Sequence, residues 1–316
     1  MHVLVTGGAG FIGSHLVRLL LSEGHRLTIV DNFASGQRAN IPRHPDVTLI
    51  EKDLLAFPAA QWPRDLDAIV HLAAQPSVVE SWTGLRQAHD VNLSATVHAL
   101  EAARELGVGR FLFASSAAVY GDPVVIPLRE DAPALPLSPY GLQKLAGEHY
   151  GRLMAQSAGL RFVALRLFNV FGPGQDASSP YSGVISRFMA AMDEGASITI
   201  RGDGRQTRDF VFVKDVAGAL SAALRLALTP GDVFISNIGS GSPTTVLELA
   251  HALRQLRPDW QGGLEHAPAA PGEIRHSTAD TTLARERLRF APQWTLRSGL
   301  QAMITDASPL AQSDRP

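Results

Sequence analysis

The chain of 316 residues contains no cysteine. Disulfides, thiol nucleophiles and thiolate metal sites are therefore excluded together. It also lacks any apolar run approaching the ~18 residues that a membrane span needs. Neither kind of charge predominates: Lys and Arg number 28 against 30 Asp and Glu, for a net charge of −2 and no basic run. Nothing in that balance suits a nucleic acid or an anionic membrane surface. Met1-His2-Val3-Leu4-Val5 runs straight into a strand without a charged leader and cleavage site, and the reading is of a cytoplasmic protein. The eleven histidines are scattered, with no HExxH and no carboxylate cluster at ligand spacing, so no metal is expected. A GK[ST] phosphate loop and a GxSxG elbow are absent, which removes the NTPase and serine-hydrolase classes. What remains is a chain 45% hydrophobic and 18% charged. That is ordinary for a soluble globular protein long enough for one large α/β unit or two domains.

The first informative stretch lies between a β-branched run, His2 to Thr6, and helical apolar spacing from Ser14 to Leu21. It reads Gly7-Gly8-Ala9-Gly10-Phe11-Ile12-Gly13, a GxxGxxG turn from strand to helix. Glycines let the backbone turn sharply and approach a pyrophosphate, whose charge is met by the N–H groups that open the helix. Asp31 ends the next strand, Leu27 to Val30. A carboxylate there accepts from both ribose hydroxyls and repels a 2′-phosphate, favouring NAD over NADP. Asn32 and Ser35-Gly36 follow as an adenosine-side loop. The strand Val47 to Lys52 delivers Asp53-Leu54, which reads as an adenine contact or as a solvated turn.

Ala68 to Ala73 suits a central parallel strand. It ends in Ala73-Ala74-Gln75, small enough for a flat cofactor to lie against backbone. A helix is expected from Val91 to Leu106, and Asn92 within it belongs with the expected cofactor contacts. The strand Arg110 to Ala114 emits Ser115-Ser116-Ala117-Ala118-Val119-Tyr120-Gly121. Parallel sheets bind ligands at the carboxyl ends of their strands, so Ser116 is a candidate catalytic hydroxyl.

Ser138-Pro139-Tyr140-Gly141-Leu142-Gln143-Lys144 is the stretch that the chemistry turns on. Ser138 can cap a helix and Pro139 fits its first position. Tyr140 then lies one turn before Lys144 on the same face. A phenol titrates near pH ~10. An ammonium roughly 6 Å away, at an effective dielectric of about 20, is expected to favour the phenolate by about 2–3 kcal/mol. Further strands are expected over Arg161 to Arg166, Phe210 to Val213 and Val233 to Asn237. Thr245-Val246-Leu247-Glu248 is a capping box opening a helix to about Leu256.

Together, the glycine turn, Asp31-Asn32, Ser116 and Tyr140xxxLys144 resemble the extended short-chain dehydrogenase/reductase family, over about residues 1 to 305. Ser116 to Asp122, Asn169-Val170-Phe171-Gly172 and Arg208-Asp209-Phe210-Val211 resemble its NAD-dependent UDP-sugar 4-epimerases. Gly272-Glu273-Ile274-Arg275-His276-Ser277-Thr278-Ala279-Asp280 resembles the segment that closes the sugar pocket in UDP-N-acetylhexosamine 4-epimerases. The resemblance implies an α/β fold, a Rossmann-type doubly wound parallel sheet with a smaller α/β C-terminal substrate lobe. Residues 1–168, with returning segments at about 209–237, would bind NAD. Residues 169–208 and 238–305 would form the lobe, and 306–316 a tail. It further implies Tyr140, Ser116 and Lys144 as the catalytic group, Asn169 and Arg208 on the UDP pyrophosphate, and a homodimer through the two long helices.

Two departures from the family pattern stand out. Ala270 occupies a place where many relatives have arginine, so Arg275 would take over that phosphate contact. Ser277 stands where some epimerases have a bulky aromatic, which leans the reading towards UDP-GlcNAc/UDP-GalNAc over UDP-glucose/UDP-galactose or UDP-glucuronate. Ala117-Ala118 provides no acid for a dehydratase or decarboxylase, and the absent cysteine excludes a GDP-fucose type epimerase-reductase. A non-catalytic NAD-binding sensor is the alternative from another class.

Overall fold

The computed structural model describes residues 1–175, 183–269 and 274–305. Ala270, the start of the late motif at Gly272-Glu273 and the expected tail lie outside these. In the first half the elements are β1 (His2–Thr6), α1 (Phe11–Ser22), β2 (Arg26–Asp31), β3 (Val47–Glu51), β4 (Ala68–His71), α2 (Val78–Thr83), α3 (Leu85–His89), α4 (Ala95–Glu105), β5 (Arg110–Ser116) and α5 (Pro139–Ala158). After them come β6 (Arg161–Leu167), β7 (Asn169–Phe171), α6 (Val184–Asp193), β8 (Ile198–Arg201), β9 (Thr207–Phe212), α7 (Val213–Leu224) and β10 (Val233–Ile238). The chain continues with β11 (Pro243–Thr245), α8 (Val246–Leu256), β12 (Leu264–Ala267), α9 (Thr282–Leu288) and α10 (Leu296–Thr305).

Among the described residues, seven strands form one sheet in the order β10-β6-β5-β4-β1-β2-β3, and every neighbouring pair is parallel. The order reverses between β1 and β4, the kind of crevice where open α/β sheets bind ligands. Strand alternation sorts the side chains into two layers. Leu112 and Ala114 of β5 join Leu16, Leu20, Val216 and Leu220 on the α1/α7 face. Phe111 and Phe113 join Ala99, Leu100 and Ala155 on the α4/α5 face.

Helix α5 lies unusually close to the sheet, and its sequence is the reason. A Cβ on Gly147 would sit 2.7 Å from the Phe113 ring, and one on Gly151 would sit 2.1 Å from Phe162. Ser138 caps its start by accepting from the Gly141 N–H, Pro139 occupies the first turn, and Gly159 ends it at φ 67°.

Where strand assignment differs from expectation, the cause is local. β5 continues to Ser116 because Ser115 and Ser116 still pair with Arg166 and Leu167 of β6. The strand expected at Phe210–Val213 is β9, which pairs with β7 and β11 in a separate three-stranded sheet. Val213 opens α7, and with α7 the chain returns to the large core. The smaller lobe packs Phe171, Ile185, Phe188, Ile200, Phe210 and Leu253 around α6 and α8. The capping box forms, with Thr245 and Glu248 satisfying each other's backbone N–H groups. No helix among the described residues is long and apolar enough to cross a membrane.

Candidate active site

The end of β5 and the first turns of α5 build the site. Ser116 accepts from the Ala118 N–H at 3.1 Å, and its hydroxyl is near enough to the Tyr140 phenol to lower its pKa. The Tyr140 backbone N–H, one of the unpaired amides of a helix start, donates to Ser81 Oγ of α2 at 3.2 Å. Lys144 Nζ donates to the Ala114 carbonyl at 2.8 Å and stands 4.9 Å from the Phe113 ring centre and 5.8 Å from that of Tyr140.

Burial dominates the electrostatics here. Tyr140 and Lys144 are 8% and 2% exposed. The expected lowering of the phenol is not what the structure gives: burial pushes Tyr140 up, and the neighbouring Ser116 hydroxyl pulls it part of the way back. The ammonium of Lys144 is turned to a carbonyl and a ring, and burial pushes it down to about 8. Behind it His71 is pushed down to about 3 by burial and by the Lys144 charge. It stays a neutral spacer between Thr6 Oγ1 and Thr96 Oγ1, at 2.8 and 3.0 Å.

The glycine turn fits a dinucleotide on steric grounds. Gly7 has φ 70°, and a Cβ there would meet the Ala73 backbone at 2.7 Å; one on Gly13 would meet the Gly7 carbonyl at 2.2 Å. The loop is thus pressed against Ala73 and its own helix, and Gly10, Phe11 and Ile12 present the start of α1. Asp31 lies at the β2 end, accepting from Ala9 N at 2.9 Å and Phe33 N at 2.8 Å. Each carboxylate oxygen keeps capacity for a ribose hydroxyl. Gly36 closes against Ala9, where a Cβ would meet backbone at 2.8 Å, and Ser35 precedes it. Asn32 donates to Asp53 at 2.9 Å. Asp53 also caps a short turn through Leu55 N, and Leu54 is buried.

Two expected contacts are engaged with protein partners. Asn92, in a π turn before α4, is fully buried. Its side chain accepts from Gln75 N and donates to Gln75 O and Gln143 Oε1. It therefore ties Gln75, itself an expected cofactor contact, to α5. Arg275 is 52% exposed and paired with Asp203 at 2.7 Å.

A cleft of about 400 Å³ opens in the smaller lobe, lined among others by Asn169, Arg187, Phe188, Arg201, Gln206 and Arg208. Ser116 and Tyr140 do not line it. They adjoin it through β6, since Ser116 pairs with Leu167 and Asn169 follows two residues later. Arg187, Arg201 and Gln206 were not singled out from sequence; the signal available was arginine recurring at 187, 201 and 208 in the segment that leaves the large sheet. Asp209 was also missed. Fully buried, it accepts from Ser240, Gly241 and Ala279 backbone N–H groups. It thereby ties the segment carrying Ser277, itself buried, to β9 beside Arg208.

A glycine turn with an acid at the β2 end, beside a Ser–Tyr–Lys group at the carboxyl edge of one parallel sheet, defines a dinucleotide-dependent enzyme of the short-chain dehydrogenase/reductase class. The family profile described as the NAD dependent epimerase/dehydratase family matches residues 3–239, and the chain belongs to that family, in its UDP-sugar 4-epimerase branch. The UDP-glucose 4-epimerase of Mycolicibacterium smegmatis is 37% identical over 315 residues, covering 96% of this chain and 97% of that one. Among solved structures, the UDP-N-acetylglucosamine 4-epimerase from Methanobrevibacter ruminantium M1, in complex with UDP-N-acetylmuramic acid, superposes with a TM-score of 0.90. It is 35% identical and covers 96% of this chain and 98% of its own. The UDP-glucuronic acid 4-epimerase from Bacillus cereus, in complex with UDP-glucuronic acid and NAD, has a TM-score of 0.89 at 31% identity, with 96% and 98% covered.

Proposed function

We propose that the chain inverts C4 of a UDP-hexose with NAD as its cofactor, and that its preferred substrates are UDP-GlcNAc and UDP-GalNAc. The observation that carries this reading is one crevice edge. Ser116, Tyr140 and Lys144 stand at the end of β5, between the glycine turn at β1 and the arginine-lined cleft that begins at Asn169.

In this reading residues 1–168, with α7 and β10, hold the dinucleotide, and the remaining lobe holds the nucleoside diphosphate. Arg208 and Asn169 bind the diphosphate, where a guanidinium fork suits phosphate oxygens. NAD would be held by Gly7 to Gly13 and by Asp31, and when bound it would supply the hydride acceptor and donor that the C4 inversion needs. Tyr140 withdraws the proton of the sugar 4-hydroxyl and Ser116 shares that hydrogen bond. Lys144, protonated at neutral pH with its value near 8, keeps a positive charge beside the phenol. The 4-keto sugar turns over, and Tyr140 returns the proton to the opposite configuration. Exposed Leu142, Tyr150 and Leu153 on the outer face of α5 support a homodimer through the long helices.

Separation of products after incubation with UDP-GlcNAc, UDP-glucose and UDP-glucuronate tests the activity. The expected outcome is fastest formation of UDP-GalNAc, and turnover of none of the three would discredit the reading. Ser277→Tyr narrows the space for a 2-acetamido group. It is expected to lower UDP-GlcNAc turnover roughly 10- to 100-fold relative to UDP-glucose; equal losses on both sugars would remove Ser277 from substrate choice.

A further inference from the structure

The proton transfer uses none of the charges buried directly behind it. Glu148 lies one helical turn beyond Lys144 on α5 and is 3% exposed. Its carboxylate accepts from Ser115 Oγ at 2.5 Å and from Arg166 Nε and Nη2 at 2.9 and 2.8 Å. Arg166, on β6, also donates to the Tyr120 hydroxyl and to the Glu130 carbonyl, at 2.9 and 3.0 Å. Tyr120 in turn donates to Asn237 Oδ1 on β10 at 2.6 Å. One ionic cluster thus joins α5, β5, β6, β10 and the turn that follows Ser116.

A buried ion pair is a poor source of net stability, because desolvation offsets much of the attraction. What it does provide is direction, since every lone pair is aimed at a defined donor. The point of attachment is informative. Ser115 faces α5, as Phe113 does two residues earlier, and it immediately precedes Ser116. A shift of α5 along β5 would break the Ser115–Glu148 bond and also change the separation of Tyr140 from Ser116.

We propose that Glu148, clamped between Ser115 and Arg166, is a positioning residue that sets the register of α5 on β5 and so holds the Tyr140 phenol against Ser116. The inference rests on the catalytic reading of Tyr140 and Ser116 given above. Glu148→Gln is the direct variant, but it strips Arg166 of its buried counter-charge and can prevent folding. Ser115→Ala leaves the Arg166–Glu148 pair intact and carries the test.

The experiment measures kcat and KM for UDP-GlcNAc and the NAD dissociation constant in the full chain. The variants are Ser115→Ala, Ser115→Thr, Ser116→Ala and the double Ser115→Ala/Ser116→Ala. Loss of one charge-assisted hydrogen bond is expected to lower kcat about tenfold in Ser115→Ala, with KM and NAD affinity within about twofold. Ser115→Thr, which restores a hydroxyl, recovers most of the loss. In the Ser116→Ala background the second substitution is expected to cost nothing further, because the Tyr140–Ser116 contact that the register serves is already gone. Independent, multiplying losses, an unchanged kcat in Ser115→Ala, or a loss confined to KM would each overturn the proposal. Tyr140→Phe separates the two levels: if that variant is inactive while Ser115→Ala is normal, only the positioning role falls. If Tyr140→Phe is active, the catalytic reading itself falls.

Discussion

Tyr140→Phe is expected to lower kcat by about a thousandfold while leaving NAD affinity within about twofold, as befits removal of a general acid–base group. Phenylalanine keeps the ring that fills this buried position, and Ser116 is the one side-chain partner that shifts the phenol. Loss of the hydroxyl should therefore change stability by no more than about 1 kcal/mol. Initial rates of C4-epimer formation, with NAD binding followed by tryptophan fluorescence, check both halves. Retained turnover removes Tyr140 from the proton transfer, whereas loss of NAD binding would place the defect in the cofactor site.

The second large effect concerns stability and has the opposite sign. Folding buries Lys144 and pushes it down to about 8 from the ordinary 10.5. Below pH 8 the residue is charged in both states, and the folded chain bears the full desolvation penalty, about 3 kcal/mol. Between pH 8 and 10.5 the folded chain has lost that proton while the unfolded chain still holds it. Stability therefore rises with pH through this window, and the penalty is gone above it. Lys144→Met removes the penalty and forfeits one hydrogen bond to the Ala114 carbonyl, worth about 1 kcal/mol. In the absence of NAD the variant should be about 2 kcal/mol more stable than the parent at pH 7, with the gap closing as pH rises past 8. Urea denaturation at pH 7 and pH 10 measures this. The same variant should lose nearly all turnover, a trade of stability for activity common at functional sites. A variant less stable than the parent at pH 7 would mean that the ammonium is well accommodated and that its burial costs little.

Much of this architecture is legible from residue patterns. The β1 run, the GxxGxxG turn and Asp31 state strand, turn and strand end in order, because glycine is forced where backbone meets backbone. Pro139 after Ser138 marks the start of α5 and fixes the phase that brings Tyr140 and Lys144 onto one face. Less legible was everything that depends on burial. Spacing alone predicts a lowered phenol pKa at Tyr140, but it carries no information on desolvation, which outweighs every other influence on the phenol. Asn92 reads as polar and available, yet it is enclosed and committed to Gln75 and Gln143. Glu148 and Arg166 look like ordinary charges on a helix and a strand, and only the packing of α5 against β5 and β6 reveals them as partners. Likewise, β9 has the composition of a sheet strand, and the local pattern cannot say which sheet it joins.

The hydrogen on C4 is expected to leave and return inside one crevice while Tyr140 exchanges the hydroxyl proton. Proton NMR of UDP-GlcNAc incubated with the holoenzyme in D₂O tests it most directly. UDP-GalNAc is expected to accumulate with protium fully retained at C4. Deuterium appearing at C4, or no C4 epimer from UDP-GlcNAc, UDP-glucose or UDP-glucuronate, would contradict it.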